Sequence, residues 1–540
     1  MRRAWIATLF AGLLIGVDAT NAALVNGTPR ADRLRGTSGA DMLYGRAGSD
    51  RITAGAGPDF IHGGPGRDIV LAGPGDDRIA LQVDRARDSV NCGRGHDIVN
   101  VERTDLVAAD CEVVARQISR DPYRTGLGQH ETQVEPDSMS AGRTIVTAFQ
   151  TGRFTGGGAA NIGWSTSRNG GQTWVSGFLP GTTIFSALGG TLDLVTDPVV
   201  AYDAAHRTWL IASLGVSSAG TVLLVSRSAD GLTWSLPVRA VVGAPVEELD
   251  KEWLACDNWP TSRFRGRCYL SYLSFGAGQL RTARSNDGGR TWSIPVVMYA
   301  RIPGHLPNGV QPAARPDGSV IVSFEVFTLN SDGNHIGAVR SVDGGQTWGP
   351  ATRVASIEES QVTGMRAGPL PSMDVDARGT VYIAWSDCHF SDLCANDVAL
   401  AVSRDGVSWS APTRVPIDTI EAAVHRFVPG LAVDPASGRL AVTYHTMKMV
   451  EACDPERTCP GVDVGLITST DGGTTWSRTR RLTAETMPLS WIAEASFGRM
   501  LGDYISTSWI AGRPVPVFSL ASAPVDGEFR QAVFAATRVR

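Results

Sequence analysis

From residue 135 onward, apolar and polar positions alternate in short segments with a two-residue period. Examples are 144–149 (TIVTAF), 208–213 (TWLIAS), 268–273 (CYLSYL), 319–324 (SVIVSF), 380–385 (TVYIAW) and 439–444 (RLAVTY). That period puts successive side chains on opposite faces and predicts β-strands. A second pattern recurs with them, a polar turn closing on tryptophan. Its copies are SRNGGQTW to Trp174, SADGLTW to Trp234, SNDGGRTW to Trp292, SVDGGQTW to Trp348, SRDGVSW to Trp409 and STDGGTTW to Trp476. The six tryptophans are separated by 60, 58, 56, 61 and 67 residues. Asp or Asn with Gly suits the positive-φ positions of a tight turn, and Ser and Asp side chains can bond the turn's own backbone. Each period reads as four strands with the turn before the last. Beyond Trp476, residues 504–509, 515–520 and 532–536 predict three further strands.

The turn resembles the Asp-box of the sialidase-like propellers, S-x-D-x-G-x-T-W. Asn169 replaces the Asp in the first copy, and the copies at Asp230 and Asp405 are one residue shorter. The resemblance implies an all-β chain with a sialidase-like β-propeller over residues 135–540. Seven blades are expected, the last completed by a strand from before Glu135, with six blades and an irregular tail as the alternative. Asp287, Asp343 and Asp471, within the turns, read as structural.

A different pattern fills residues 36–80. Its period is nine, GTSGADMLY, GRAGSDRIT, AGAGPDFIH, GGPGRDIVL and AGPGDDRIA, with Asp41, Asp50, Asp59, Asp68 and Asp77 in one phase. An apolar residue follows each Asp two places later. This resembles the RTX nonapeptide, which implies a short parallel β-roll over residues 31–112 with Ca²⁺ held in the turns. Glycines let backbone carbonyls converge there, and each Asp supplies a hard carboxylate oxygen. The alternative is a flexible Gly/Asp linker. Over residues 31–112, twelve Asp and two Glu stand against ten Arg, a net of −4. Residues 113–134 read as a connector.

Composition narrows the setting. The chain has 61 Gly, 29 Pro and 14 Trp with only 19% charged residues, which fits a loop-rich β protein, and no basic run suggests nucleic acid. Residues 1–22 combine Arg2 and Arg3, an apolar stretch and a small-residue end, the pattern of a cleaved signal peptide. An uncleaved anchor is the alternative, though the apolar run is short for a span. No later stretch is long and apolar enough to cross a bilayer. The eight cysteines form four close sequential pairs, Cys92 with Cys111, Cys256 with Cys268, Cys388 with Cys394 and Cys453 with Cys459. Four local disulfides in a secreted protein follow, against a weaker zinc reading that lacks C-x-x-C spacing.

Resemblance to sialidases implies a retaining glycosidase with a Tyr nucleophile, an activating carboxylate and an arginine clamp on the substrate carboxylate. The matching positions are Tyr504 in GDYISTSW, Asp503 or Glu135 as its carboxylate, and Arg366, Arg426 and Arg499 as clamp. The first repeat offers VEPDS where the family places an arginine, so a carboxylate, Glu135, stands there instead. Glu135, Asp137, Asp197, Asp250, Glu252 and Asp257 recur near strand starts and read as turn chemistry or as a carboxylate-lined mouth. Trp253, Trp259 and Trp491 read as core or as sugar platforms. The expected function is an extracellular glycoside hydrolase, exo-α-sialidase-like, acting on a glycan or polysaccharide. The alternative is a non-catalytic propeller that binds a glycan or a protein at the cell surface or in the extracellular matrix.

Overall fold

The computed structural model describes residues 22–81, 84–124, 128–244 and 247–540; the stretch read as a signal peptide lies outside them apart from Ala22. The described residues form two compact units, 22–98 with 104–112, and 99–103 with 113–540.

The first unit is a parallel β-solenoid built from the nonapeptides, two per turn. Leu24–Asn26, Met42–Tyr44, Phe60–His62 and Arg78–Leu81 stack in register on one face. Arg33–Arg35, Arg51–Thr53, Ile69–Pro74, Ser89–Arg94 and Leu106–Val107 stack on the other. Partners differ by 18 residues at Leu34↔Ile52 and Ile52↔Val70, so the nine-residue period places identical phases on top of one another. The apolar residue of each repeat fills the space between the faces: Leu43, Ile52, Ile61 and Ile79 are fully buried. Cys92 and Cys111 are joined near the end of the stack. The expected roll is thus observed.

The second unit is a series of antiparallel sheets. Residues 249–299, 305–356, 372–414 and 424–481 each form a separate four-stranded sheet, and Glu494–Ala495 pairs with Gly498–Arg499 as a small hairpin. The remaining strands do not divide in this way. Gly128–Ala141 pairs along Thr144–Phe154 and also bridges Glu528–Val539 through Thr132↔Gln531, while Ala159↔Val195 ties Ala159–Ser167 to Leu194–Asp203. Val113–Gln117, in the stretch read as a connector, runs antiparallel to Glu528–Val539. Hydrogen bonding is therefore continuous from Val113 through Val242 and back through the last three strands. This corrects the expectation of a sialidase-like propeller with seven blades, or six. The unit is all-β, sheets following a β-solenoid, without a clearly defined set of blades. The tryptophan period counts hairpins. Sheet limits are decided by edge bonds between residues far apart in sequence, which no local period encodes.

The hairpin turns themselves form as their residues dictate. Ser341 Oγ donates to Asp343 Oδ1 at 2.9 Å, and the N–H groups of Gln346 and Thr347 donate to the same oxygen at 2.9 Å. Thr347 Oγ1 closes the ring on Oδ2 at 2.6 Å. Burial pushes the Asp343 carboxyl up, but these bonds together outweigh it and hold the group down at about 2. Asn169 accepts from Thr173 N–H in the first copy, so the amide oxygen serves as the carboxylate does elsewhere. The remaining disulfides join Cys256 to Cys268, Cys388 to Cys394 and Cys453 to Cys459.

One distortion repeats along the first strand of successive sheets. Glu135, Asp197, Lys251, Gly309 and Val428 all adopt positive φ, between 48° and 64°. Register shifts fall at the same places, between Val134 and Asp137, Thr196 and Val199, Asp250 and Trp253, Asn308 and Gln311, and Phe427 and Gly430. A bulge re-aims the side chain at its left-handed residue, a conformation that non-glycine residues adopt at a cost.

Cores lie between neighbouring sheets. Trp385 is fully buried among Ile336, Ala338, Ile383 and Ala399, with its Nε1–H donated to Asp387 Oδ2 at 2.9 Å. Trp385→Ala is expected to destabilise the second unit by about 3–5 kcal/mol, measured as a lowered denaturation midpoint.

Candidate functional site

The bulge at Lys251 sets its ammonium against charged groups from distant segments of the chain. Lys251 Nζ lies 2.5 Å from Asp503 Oδ2 and 3.8 Å from Asp197 Oδ2. Arg366, from the loop before Ser372–Val375, completes the grip: its Nε donates to Asp503 Oδ1 at 2.8 Å and its Nη2 to Oδ2 at 2.5 Å. Gly502 permits the approach, since its φ is +150° and a Cβ there would meet the backbone of Glu135 and Tyr504. Glu135 is buried and accepts from Gln150 Nε2, which also donates to Thr196 Oγ1 at 2.8 Å. Arg153, 1% exposed, adds a third cation, its Nη2 set 3.6 Å from Met500 Sδ.

These environments separate the groups electrostatically. Burial would raise the Asp503 carboxyl, but Lys251 and Arg366 outweigh it and hold the group far below the usual carboxylate range. Burial, reinforced by Asp197, pushes Glu135 up instead. Burial and Asp197 likewise push up Glu252, both of whose carboxyl oxygens lack a partner. Burial would lower Lys251, yet Asp197 and Asp503 keep it well above its ordinary value. The cluster therefore favours the ionised form of Asp503 and the protonated form of Glu135. A cavity of about 490 Å³ opens beside it, bordered by Asp137, Lys251, Trp253, Leu431, Asp503 and Tyr504 among others.

The positions predicted from sequence are only partly gathered here. Tyr504 follows Asp503 and packs edge-on to Trp253 at 5.2 Å, but its hydroxyl donates to Pro198 O at 2.8 Å. Burial and then Glu135 push its phenol well above the ordinary value. Arg366 joins Asp503. Arg426 is instead buried between Asp397 and Asp418, and Arg499 faces Glu456 and Glu494. Asp137 ties neighbouring strands, accepting Val200 N–H at 2.7 Å and Ser506 Oγ–H at 3.0 Å. Asp257 accepts from Trp259 N–H and Ser262 Oγ–H within its own loop. Lys251 and Arg153 were not singled out in the sequence. The available signal was a charged residue at the start of each first strand, which gave the carboxylates but not the cation between them.

In the first unit the aspartates form a ladder. Asp41, Asp50, Asp59 and Asp68 N–H donate to Oδ1 of Asp59, Asp68, Asp77 and Asp88, at 2.7–2.8 Å. The second oxygen of Asp50, Asp59, Asp68, Asp77 and Asp97 is buried without a partner. At Gly36, Gly45 and Gly63 a Cβ would strike Oδ2 of Asp41, Asp50 and Asp68, and at the first two also the carbonyl oxygens of Ala54 and Gly63. Carbonyl and carboxylate oxygens thus converge around the glycines, a donor set suited to Ca²⁺. Among the described residues no three His, Cys, Asp or Glu side chains meet as a metal cluster, so backbone carbonyls would share the ion with Asp41, Asp50, Asp59, Asp68 and Asp77. Calcium there would supply the positive charge that the stacked carboxylates lack.

Without the ion, burial pushes Asp59 up to about 6 and Asp68 and Asp77 up to about 7. A carboxyl raised in the folded state stabilises fully below its unfolded value near 4, and that contribution is lost as pH rises through 6–7. Amide-exchange protection of residues 33–81 in chelator, corrected for intrinsic rates, should fall across that window and return on adding calcium. In the second unit, Lys251→Met removes one partner of buried Asp503 and is expected to cost about 3–5 kcal/mol, read by chemical denaturation.

Comparison with known proteins follows the same division. Residues 26–61 and 44–79 match the RTX calcium-binding nonapeptide repeat (4 copies). No match was found among curated proteins. Structural neighbours are glycoside hydrolases and polysaccharide lyases. A Hadza microbial sialidase has 16% identity and a TM-score of 0.38, with 76% of this chain and 66% of that one covered. An ulvan lyase has 13% identity and a TM-score of 0.44, with 77% and 96% covered. A Penicillium chrysogenum α-L-arabinanase has 15% identity and a TM-score of 0.41, with 65% and 97% covered. The chain spans just under two thirds of the sialidase's length. Calcium-binding RTX repeats are therefore present in the first unit, and the likenesses of the second leave its activity to be argued from its own residues.

Proposed function

We propose that the protein is secreted and that its second unit hydrolyses glycosidic bonds of an extracellular polysaccharide, using Asp503 and Glu135 in the Lys251–Arg366 cluster. What carries this reading is that two carboxyl groups in one cluster are pushed in opposite directions, Asp503 down by Lys251 and Arg366 and Glu135 up by burial and Asp197. Glycoside hydrolysis needs one carboxyl as proton donor and one carboxylate as base or nucleophile, and environments that push two such groups apart supply that division. Glu135, kept neutral by burial, is suited to donate. Asp503, kept ionised by Lys251 and Arg366, is suited to the anionic role. Four disulfides support export to an oxidising compartment.

The narrower exo-α-sialidase reading uses Tyr504 as nucleophile and Arg366, Arg426 and Arg499 as clamp. It has less support, because the Tyr504 hydroxyl is engaged by Pro198 and two of the arginines have separate carboxylate partners. A binding domain without turnover is favoured by one observation, that both oxygens of Asp503 are already bonded.

The test is reducing-end release from neutral and acidic polysaccharides and from aryl sialosides. Asp503→Asn and Glu135→Gln should each lower kcat at least a hundredfold, whereas Tyr504→Phe should change it less than fivefold. The rate should fall as pH rises through the Glu135 value, since the donor is then lost. Turnover abolished by Tyr504→Phe but retained in Asp503→Asn would replace this assignment with the sialidase one. Saturable glycan binding with no product from any substrate would leave the binding domain.

A further inference from the structure

The net charge of −4 over residues 31–112 conceals a separation of sign. The fold takes the acids inward: Asp41, Asp50, Asp59, Asp68 and Asp77 are all 0–2% exposed. It turns arginines outward. Along one edge the turns at 27–32, 45–50 and 63–68 stack, with Gly48 N–H donating to Pro65 O at 2.8 Å, and they carry exposed Arg30, Arg46 and Arg67. On the adjoining face Leu34 and Ile52 point inward while Arg33, Arg35 and Arg51 point out.

Arg33 and Arg51 are register partners on neighbouring parallel strands, which sets their Cα atoms about 4.8 Å apart. None of these six guanidiniums forms an ion pair among the described residues. The nearby carboxylates, Asp32 and Asp84, are half-buried and accept from the backbone N–H groups of Thr28 and Gly66. The opposite face differs. Its matching column is Leu24, Met42, Phe60 and Arg78, with the Arg78 guanidinium over the Phe60 ring at 5.5 Å.

We propose that the calcium-loaded roll binds a linear acidic polysaccharide along its arginine-bearing edge and face. Once calcium neutralises the inner aspartates, the field outside is set by the arginines. A guanidinium pairs bidentately with carboxylate or sulfate, and closely spaced ones suit a ligand with charges repeated along a chain. The arginine-bearing strands Arg33–Arg35 and Arg51–Thr53 are three residues long, so the face there is about 10 Å wide, the width of a single polymer chain. No aromatic side chain lies in the strands Arg33–Arg35 and Arg51–Thr53, which removes the stacking platform that single-stranded nucleic acid uses. The large apolar side chains exposed on this face are Ile69 and Leu106, too little to insert into a membrane. The inference is independent of any activity in the second unit.

The full chain, calcium-loaded, is titrated calorimetrically with heparin and with polygalacturonate, which separate sulfate from carboxylate recognition. At least one should bind saturably. The triple variant Arg33→Gln, Arg35→Gln, Arg51→Gln should bind at least tenfold more weakly with unchanged calcium uptake, and chelation should weaken wild-type binding by a similar factor. Arg124→Gln, an exposed guanidinium outside the roll, should bind as wild type does. The proposal is overturned if neither saccharide binds, if the triple variant binds like wild type, if Arg124→Gln loses as much, or if binding survives chelation. Tighter binding of duplex DNA or phosphatidylserine vesicles than of either saccharide also overturns it.

Discussion

A carboxylate withdrawn from water stays charged only if fixed positive charge replaces the hydration it has lost, and Asp503 meets that condition through Lys251 and Arg366. The three residues come from a strand, a loop before another sheet and the loop before the last three strands. The ion pairs therefore fix how three separate parts of the chain meet. Asp197 and Glu135 belong to the same arrangement: the first shares the Lys251 ammonium, and the second is pushed up by burial and by Asp197. Removing the charge on Asp503 would leave two partly buried cations to be satisfied, so the chemistry of the cluster and the packing of the strands around it are one constraint.

The bulges make that constraint reachable. A regular strand alternates its side chains between two faces, and a charged residue near its start would point into a sheet interface or along the sheet edge. A left-handed residue with a register shift turns the side chain out of that alternation. Glu135, Asp197 and Lys251 all sit at such residues, while the equivalent Gly309 and Val428 bring no charge. The same distortion thus serves five strands and is used chemically by three. Its energetic cost is borne because strand pairing continues on both sides of each bulge.

Local features were legible in the sequence, and relations between distant segments were not. The nonapeptide period announced a parallel stack because each turn contacts its own repeat 18 residues on, so local spacing and three-dimensional neighbourhood coincide. The Ser341–Trp348 turn was legible for the same reason, its bonds closing within seven residues. The four cysteine pairs were readable because each bridge spans 19 residues or fewer. The arrangement of sheets was not, since Thr132 bridges Gln531 and Val113 pairs with Val539. The site shows the same split. Asp503 and Arg366 could be named from their surroundings in the chain, but Arg426 and Arg499 carry the same kind of local motif and go to other carboxylates. Lys251 has no motif, and only its contact with residue 503 reveals it.

The two units answer one electrostatic problem in different ways. In the second, the carboxylate at risk is matched by cations of the chain itself, with both of its oxygens already bonded. In the first, the aspartates bond with one oxygen and leave the other buried and open beside backbone carbonyls, so the compensating charge has to come from outside or from protons. Resident cations supply the charge within the chain, whereas open oxygens leave a place that a hard cation would fill. The roll's arginines could not substitute, because they lie on the outer surface while the open oxygens lie within the stack. That division puts arginines such as Arg33, Arg35 and Arg51 on the outside and the open carboxylate oxygens inside, so a single sequence repeat separates positive charge from the negative charge that calcium would satisfy.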